Sequence, residues 1–483
     1  MNYQKGSHIS GDPPTPVTRV SIHPKHNHVI HCVLGFKNPI DVNTLKDELS
    51  NSVMVKIPRF LSLLVVDNNN GTEHWKKTDV NLDDHIFIHD DDDDDGEPPM
   101  SDDDAINAYL ADIALSPPMS LDKPLWELHI MHKHKCSILR VHHAVADGMS
   151  LMSLLWTMGN NSSIRCVSDG KQLHHDAQNH PIVMSSKNDQ SFRKKGSIKK
   201  KGLWEGLMYI WVSLVLVLKF IGRSLWVKDK KSVISGIEGV ELWPRKVVTA
   251  KFQISDMKTI KNAIPNVTIN DVFYGIVWCG LTRYLKIRHP NNAFQDGFQF
   301  TGLCPMNLRE QPGVQNVFNM ISENSRAPWG NIFAMVLLPI TYFKRDLNAL
   351  AYIARAKAVM DQKKRSMEAR LCFELGYLIF SLFGSKIGGE LFYNLFTHTS
   401  FLMSNIAGPL EPISLAANPI TFIRITSSAQ AHAFTLHMVS YAGKADLQIQ
   451  VAKEVIPDPE FLATCIENAL LEAKEAANAR VTK

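Results

Sequence analysis

Residues 160–231 interrupt an otherwise regular alternation of strand-like and helix-like segments, and the interruption fixes the broad architecture. Residues 160–201 are polar and rich in Ser, His and Lys, and they end in Arg193-Lys194-Lys195 and Lys199-Lys200-Lys201, a linker by composition. Residues 202–227, GLWEGLMYIWVSLVLVLKFIGRSLWV, follow at once, with Lys228, Lys230 and Lys231 beyond them. The uncharged core of this segment, residues 206–218, falls short of the ~18 residues of a clear membrane span. The chain of 483 residues therefore divides into three parts. Residues 1–160 are a first half, 161–240 a basic linker with an apolar membrane-associating segment, and 241–483 a second half.

Both halves read as mixed α/β. Residues 137–141 (SILRV) are β-branched and apolar, and residues 149–155 start a helix. Residues 247–254 form a strand pattern, with Ser255 as the expected N-cap of the next helix. Thr268 is the expected N-cap of a long apolar helix over residues 269–285. Residues 431–441 and 446–451 alternate as strands, and residues 459–477 close the chain as an amphipathic helix.

Composition narrows the class without naming a function. The net charge, 52 − 48 = +4, is too small to imply nucleic-acid binding. Seven dispersed cysteines with no CxxC pair argue against a disulfide scaffold and for a reducing compartment. The first 20 residues hold no apolar run of the kind a cleaved secretory signal needs, so none is expected. The acidic, proline-containing run at 89–104 lacks the spaced ligand pattern of a calcium loop and reads as a solvated surface loop.

One motif carries chemistry. Residues 140–148, RVHHAVADG, place HHxxxDG at the end of a strand just before a helix. Adjacent residues at a strand end point to opposite faces, so only one of His142 and His143 can face a given cleft. A histidine there, with an ordinary pKa of about 6.5, can take a proton from a hydroxyl near neutral pH. Asp147 can pair with a basic side chain and fix the loop, and Gly148 permits either a positive φ or a close backbone approach.

This motif resembles that of the HHxxxDG CoA-dependent acyltransferase superfamily, and further landmarks narrow the likeness to the plant branch of the wax ester synthase/diacylglycerol acyltransferase family. Residues 117–127, PPMSLDKPLWE, are similar to its PLW segment, and Asn270-Asp271 opens the long apolar helix as its ND motif does. Pro305-Met306-Asn307-Leu308-Arg309 resembles its P-x-N-x-R segment, and residues 404–409, SNIAGP, its late SN-x-x-GP turn. The set occurs in the expected order over residues 117–409.

The resemblance implies two chloramphenicol-acetyltransferase-like halves, each a mixed sheet with helices, meeting at a central tunnel. It implies acyl transfer from long-chain acyl-CoA, a co-substrate rather than a resident cofactor, to a long-chain fatty alcohol or diacylglycerol. By the same likeness His143 is the general base, working without a covalent acyl-enzyme, and His142 braces the strand. Asp147 is structural, with Arg309 one candidate partner, and Asn270, Asp271 and Asn405 are substrate-tunnel candidates. A backbone N–H near Gly148 or the Asn405 amide is a candidate oxyanion donor.

Other readings fall away on the residues. The histidine-rich stretches at 22–32 and 129–136 hold metal-ligand types, but strand alternation would send neighbouring ligands to opposite faces, so no metal is expected. There is no GxSxG elbow, no P-loop and no late DFGWG, the last being the mark of plant branches that acylate soluble acceptors. A non-catalytic lipid-binding protein would not need HHxxxDG. As a helix, residues 202–227 put Glu205, Lys219 and Arg223 on one stripe with Tyr209, Val212 and Leu216, which fits snorkelling ends. A single crossing would separate His143 from Asn405, so the segment is expected in the membrane plane or as a shallow dip, on the cytosolic face of the endoplasmic reticulum, with the plasma membrane as the second site.

Overall fold

The computed structural model describes residues 16–23, 25–66, 73–89, 100–166, 203–290, 294–323 and 325–481. Most of the acidic run and of the basic linker therefore lies outside the described residues. The strands are β1 (Val29–Phe36), β2 (Ser62–Val66), β3 (Glu73–Lys77), β4 (Ile86–His89), β5 (Trp126–Met131), β6 (Cys136–His142) and β7 (Arg245–Gln253). Then come β8 (Gln299–Asn307), β9 (Phe333–Thr341), β10 (Phe401–Ala407), β11 (Ser414–Leu415), β12 (Asn418–Ser427), β13 (Phe434–Tyr441) and β14 (Lys444–Ala452). The helices of the first part are α1 (Pro16–Ile22), α2 (Val42–Asn51), α3 (Asp102–Ile113), α4 (Gly148–Cys166) and α5 (Leu203–Leu225). The later ones are α6 (Ile254–Ala263), α7 (Ile269–Arg288), α8 (Val317–Met320), α9 (Ala349–Lys364), α10 (Glu368–Thr397) and α11 (Pro459–Val481).

Two six-stranded sheets carry the fold, ordered β11-β12-β1-β6-β5-β4 and β7-β14-β13-β10-β8-β9, with β2-β3 a separate hairpin. Every residue of β1 and β6 is buried, His31, Arg140 and His142 included, so neither strand alternates between a buried and an exposed face. The two sheets do not follow the division of the sequence at residue 241. β12 leaves the second half and pairs antiparallel with β1, from Ile30↔Ser427 to Phe36↔Ile420, so late residues complete the sheet that holds HHxxxDG. Arg424 on β12 then pairs with Asp446 on β14 at 2.7 Å and ties one sheet to the other.

The second core is built around α7. Thr268 caps it with a reciprocal bond to Asp271, and the chain packs α9 and α11 along its sides, so a helix apolar on all faces is buried on nearly all of them. Ser255, in contrast, is not an N-cap. β7 runs directly into α6, whose cap position is Gln253, and Ser255 lies inside the first turn.

α5 forms over the expected apolar segment, and its stripe is divided: Leu216 and Arg223 turn inward while Lys219 stays exposed. Ser213 and Leu216 are buried. Arg223 pairs with Asp229 at 2.7 Å and donates to the His398 carbonyl and Thr301 Oγ1, so it fastens α5 to the protein instead of snorkelling outward. α10, a second long apolar helix of 30 residues, had no clear sequence signal and packs beside α5.

Candidate active site

β6 ends at His142, and α4 begins at Gly148, so the five residues between form a tight turn at the edge of the sheet interface. The two histidines make different contacts. His142 is buried, its Nδ1 accepts the Ala144 N–H at 3.1 Å, and burial with the adjacent His143 pushes its pKa down to about 3. It is a neutral acceptor that shapes the turn.

His143 is held at both ends by Asn331. The Asn331 amide nitrogen donates to the His143 carbonyl at 2.7 Å, which turns its Oδ1 toward His143 Nδ1 at 2.8 Å. An amide oxygen only accepts, so Nδ1 carries the proton and Nε2 keeps its lone pair. Burial lowers the His143 pKa below its ordinary value, while the nearby Asp147 carboxylate and the Asn331 bond work against that shift. The imidazole is neutral at pH 7, with Phe333 and His28 rings at 5.6 and 6.4 Å.

Asp147 and Arg309 form the brace beneath the turn. Arg309 Nη1 donates to Asp147 Oδ2 at 2.8 Å and Nη2 to Oδ1 at 3.0 Å, with the side chains 1% and 6% exposed. Nη2 also donates to the Gly330 carbonyl, and the backbone N–H groups of Ser150 and Ile332 donate to the carboxylate. Burial alone would raise the Asp147 pKa; Arg309 and these donors overcome it and hold the carboxyl below its usual range. The same pair pins residues 330–332, and hence Asn331, against the HHxxxDG turn. Gly148 serves by close approach, not by φ, which is outside the left-handed region. A Cβ there would sit 2.6 Å from Ile406 Cδ1, so the start of α4 rests directly on β10.

That contact brings the late landmark to the early one. Asn405, next to Ile406 on β10, donates its amide N–H to Asn270 Oδ1 at the start of α7. Asn270 and Asn405 thus meet, whereas Asp271 is wholly buried as the partner of Thr268 and lies 3.6 Å from Lys364. Its position is that of a helix cap. Across β10 and β13, Ser404 pairs with His437, and Thr435 pairs with Gln450 on β14, placing these side chains on one face. His437 is buried near His143 and its pKa is lowered to about 4 by burial and that neighbour. Ser404 Oγ, Thr435 Oγ1, His437 Nδ1 and Gln450 Oε1 are buried without a protein partner.

Sequence reasoning did not find Asn331, Ser150, His28 or Phe333. Trp329-Gly330-Asn331 carries no mechanistic signature by itself, and Asn331 is 188 residues from His143. His28 lies in a histidine-rich stretch read as structural; its backbone carbonyl accepts the His143 N–H at 2.7 Å.

Residues 39–273 match the wax ester synthase/diacylglycerol acyltransferase catalytic domain, and residues 329–474 match the WS/DGAT C-terminal domain. Wax ester synthase/diacylglycerol acyltransferase 10 of Arabidopsis thaliana is 30% identical, covering 98% of this chain and 99% of that protein. Wax ester synthase/diacylglycerol acyltransferase 4 of the same plant is 29% identical over 99% and 94% of the two chains. Among solved structures, a wax ester synthase/diacylglycerol acyltransferase from Marinobacter aquaeolei VT8 superposes with a TM-score of 0.53 at 13% identity, covering 97% and 100%. A trichothecene 15-O-acetyltransferase from Fusarium sporotrichioides gives 0.60 at 10% identity, covering 95% of each chain. Both likenesses are of fold.

Proposed function

The chain belongs to the wax ester synthase/diacylglycerol acyltransferase family and is an acyltransferase of wax ester and acylglycerol synthesis, and we propose that His143 is its general base. The observation that carries this assignment is the Asn331 pair, which leaves Nε2 as the free basic atom of a neutral imidazole. The acceptor hydroxyl gives its proton to Nε2 as its oxygen attacks the acyl-CoA thioester carbonyl. Collapse of the tetrahedral intermediate breaks the C–S bond, and the Nε2 proton passes to the departing thiolate. No covalent acyl-enzyme forms. Positioned proton transfer of this kind supplies about 10²–10⁴-fold, and holding both substrates together supplies much of the remainder.

Asp147 and Arg309 hold the loop that carries Asn331, and Asn405 with Asn270 borders the donor side. The buried polar face at Ser404, Thr435, His437 and Gln450 suits the amide-bearing arm of acyl-CoA. Fatty alcohol and diacylglycerol are the acceptors, wax ester the main product, and the cytosolic face of the endoplasmic reticulum the working surface. Labelled palmitoyl-CoA offered with hexadecanol, with diacylglycerol or with a water-soluble alcohol tests the reading. Label should pass to the lipid acceptors and none should stay on the protein. Transfer confined to the soluble alcohol, or labelled protein after the acceptor is withheld, would overturn it. Protease added to sealed microsomes should digest tags at both termini.

A further inference from the structure

α5 and α10 lie side by side and turn large apolar side chains to the outside. On α5, Trp204, Trp211 and Leu218 are 73%, 61% and 55% exposed. On α10, Leu378, Leu382 and Phe383 are 51%, 65% and 57% exposed. Soluble proteins rarely leave so continuous an apolar surface without a use for it. The opposite side of α5 is tied to the start of α10 through Ser213, whose Oγ accepts the Met367 N–H, and to the body through Arg223, so these faces are not a core that has come loose.

The topology decides how such helices meet a lipid phase. α10 connects β9 to β10, two strands of one sheet with β8 between them. α5 connects the first sheet to β7 of the second, and the two sheets are joined through β12 and the Arg424–Asp446 pair. Both ends of each helix return to the same body, so neither crosses a bilayer. Gly384, at φ 74°, breaks α10 and leaves Leu382 and Phe383 protruding at the bend. Exposed Lys219, Lys228, Lys230 and Lys231 follow the α5 face, and exposed Lys386 is interleaved with the α10 face. Trp, Phe and Leu with bordering lysines are the composition of a helix seated in an anionic interface.

We infer that α5 and α10 together form an in-plane docking platform for an anionic phospholipid bilayer, with α10 an indispensable half of it. The platform ends beside the site. Phe396, near the end of α10, has its ring 5.6 Å from that of His28, which is 6.4 Å from that of His143. Seating the platform therefore brings membrane-dissolved acceptor to the side of the protein from which His143 is one ring away. Only this last consequence rests on the lipid-acyltransferase reading.

Vesicle flotation of the full chain tests the platform without any turnover. Wild-type protein should float with phosphatidylcholine/phosphatidylserine vesicles, and several-fold less with phosphatidylcholine alone. Leu382→Asp with Phe383→Asp on α10, and Trp204→Glu with Trp211→Glu on α5, should each reduce the bound fraction at least tenfold. These positions are exposed, so melting should be unchanged, and so should transfer between octanoyl-CoA and a water-soluble alcohol. Transfer to vesicle-embedded diacylglycerol should fall with flotation. If the α10 pair floats like wild type, the platform is overturned. The same holds if wild type does not float but forms a dimer that the substitutions dissociate, because a second copy then covers the face. A protein that floats as expected yet transfers no acyl group leaves the platform standing and sinks the reaction assigned above.

Discussion

Asn331 contacts His143 twice, amide nitrogen to carbonyl at 2.7 Å and amide oxygen to Nδ1 at 2.8 Å. A two-point contact fixes both the ring's orientation and its tautomer, so the state of Nε2 is set by a residue from a distant part of the chain. Asn331→Ala is expected to lower kcat by about 10²-fold, with a stability loss of about 1 kcal/mol from the unpaired carbonyl. Asn331→Asp places a carboxylate on Nδ1 and raises the His143 pKa, which starts below about 6.5. The base must be neutral to act, so the acid limb of the kcat profile should move to higher pH in Asn331→Asp. A purely structural role for Asn331 would lower activity without moving that limb.

The paired histidines should separate in a stability-against-activity comparison. His143→Ala is expected to reduce transfer at least 10²-fold while leaving the melting temperature close to wild type, since the ring serves the chemistry and is not part of the apolar core. His142→Ala removes a buried acceptor and opens a small cavity, for an expected loss of about 2 kcal/mol with activity per folded molecule little changed. Melting curves and specific activity of the two purified variants read the difference. The reverse pattern would move the base to His142.

Asp147→Asn leaves the Arg309 guanidinium buried with its charge uncompensated. Breaking one side of a buried pair typically removes about 3–5 kcal/mol. The melting temperature should fall together with activity, because the pair also pins Asn331. Activity lost at an unchanged melting temperature would instead make Asp147 part of the reaction.

How much of this was readable follows from how local each signal is. HHxxxDG needs only a strand end, a turn and a helix start, and the structure has all three at 136–148. The Thr268–Asp271 capping box spans four residues and was equally readable, though only its cap half was drawn from the sequence. The Asp147–Arg309 pair lies across 162 residues, so the family resemblance could name a candidate but not the contact. β12 joins the first sheet by pairing with β1, nearly 400 residues away, and nothing within residues 418–427 announces that crossing. α10 was missed because Gly376, Gly384, Gly388 and Gly389 interrupt the period that marks an amphipathic helix. The stripe on α5 was recognised, but its direction depends on Asp229 and His398, which only the fold brings to Arg223.

Gly148→Ala tests the contact that brings the two halves of the site together. The new Cβ would meet Ile406 Cδ1, the far end of a side chain, so a modest shift accommodates it at about 1 kcal/mol. Because Ile406 adjoins Asn405, activity should fall by more than that loss implies. Ile406→Val removes the offending methyl, so the double variant Gly148→Ala with Ile406→Val should recover most of both. Chemical denaturation and specific activity of the single and double variants check this, and strict additivity of the two substitutions would mean that α4 and β10 are not coupled here.

The buried histidines predict a steep loss of stability in mild acid. Burial is the leading cause for all four of the following. It pushes His142 and His432 down to about 3, and His26 and His437 down to about 4. Unfolded, each has a pKa of about 6.5. Between the folded and unfolded values the unfolded chain binds the extra proton, so stability is fully present above about pH 6.5 and is lost as pH falls below it. Each group contributes a slope of up to about 1.4 kcal/mol per pH unit in that window. The melting temperature should therefore hold from pH 8 to 7 and drop sharply from 6.5 to 5. His437→Gln keeps a polar side chain that does not titrate, and should flatten that drop by about one group's share. An unchanged slope in His437→Gln would mean that His437 is already protonated in the folded protein.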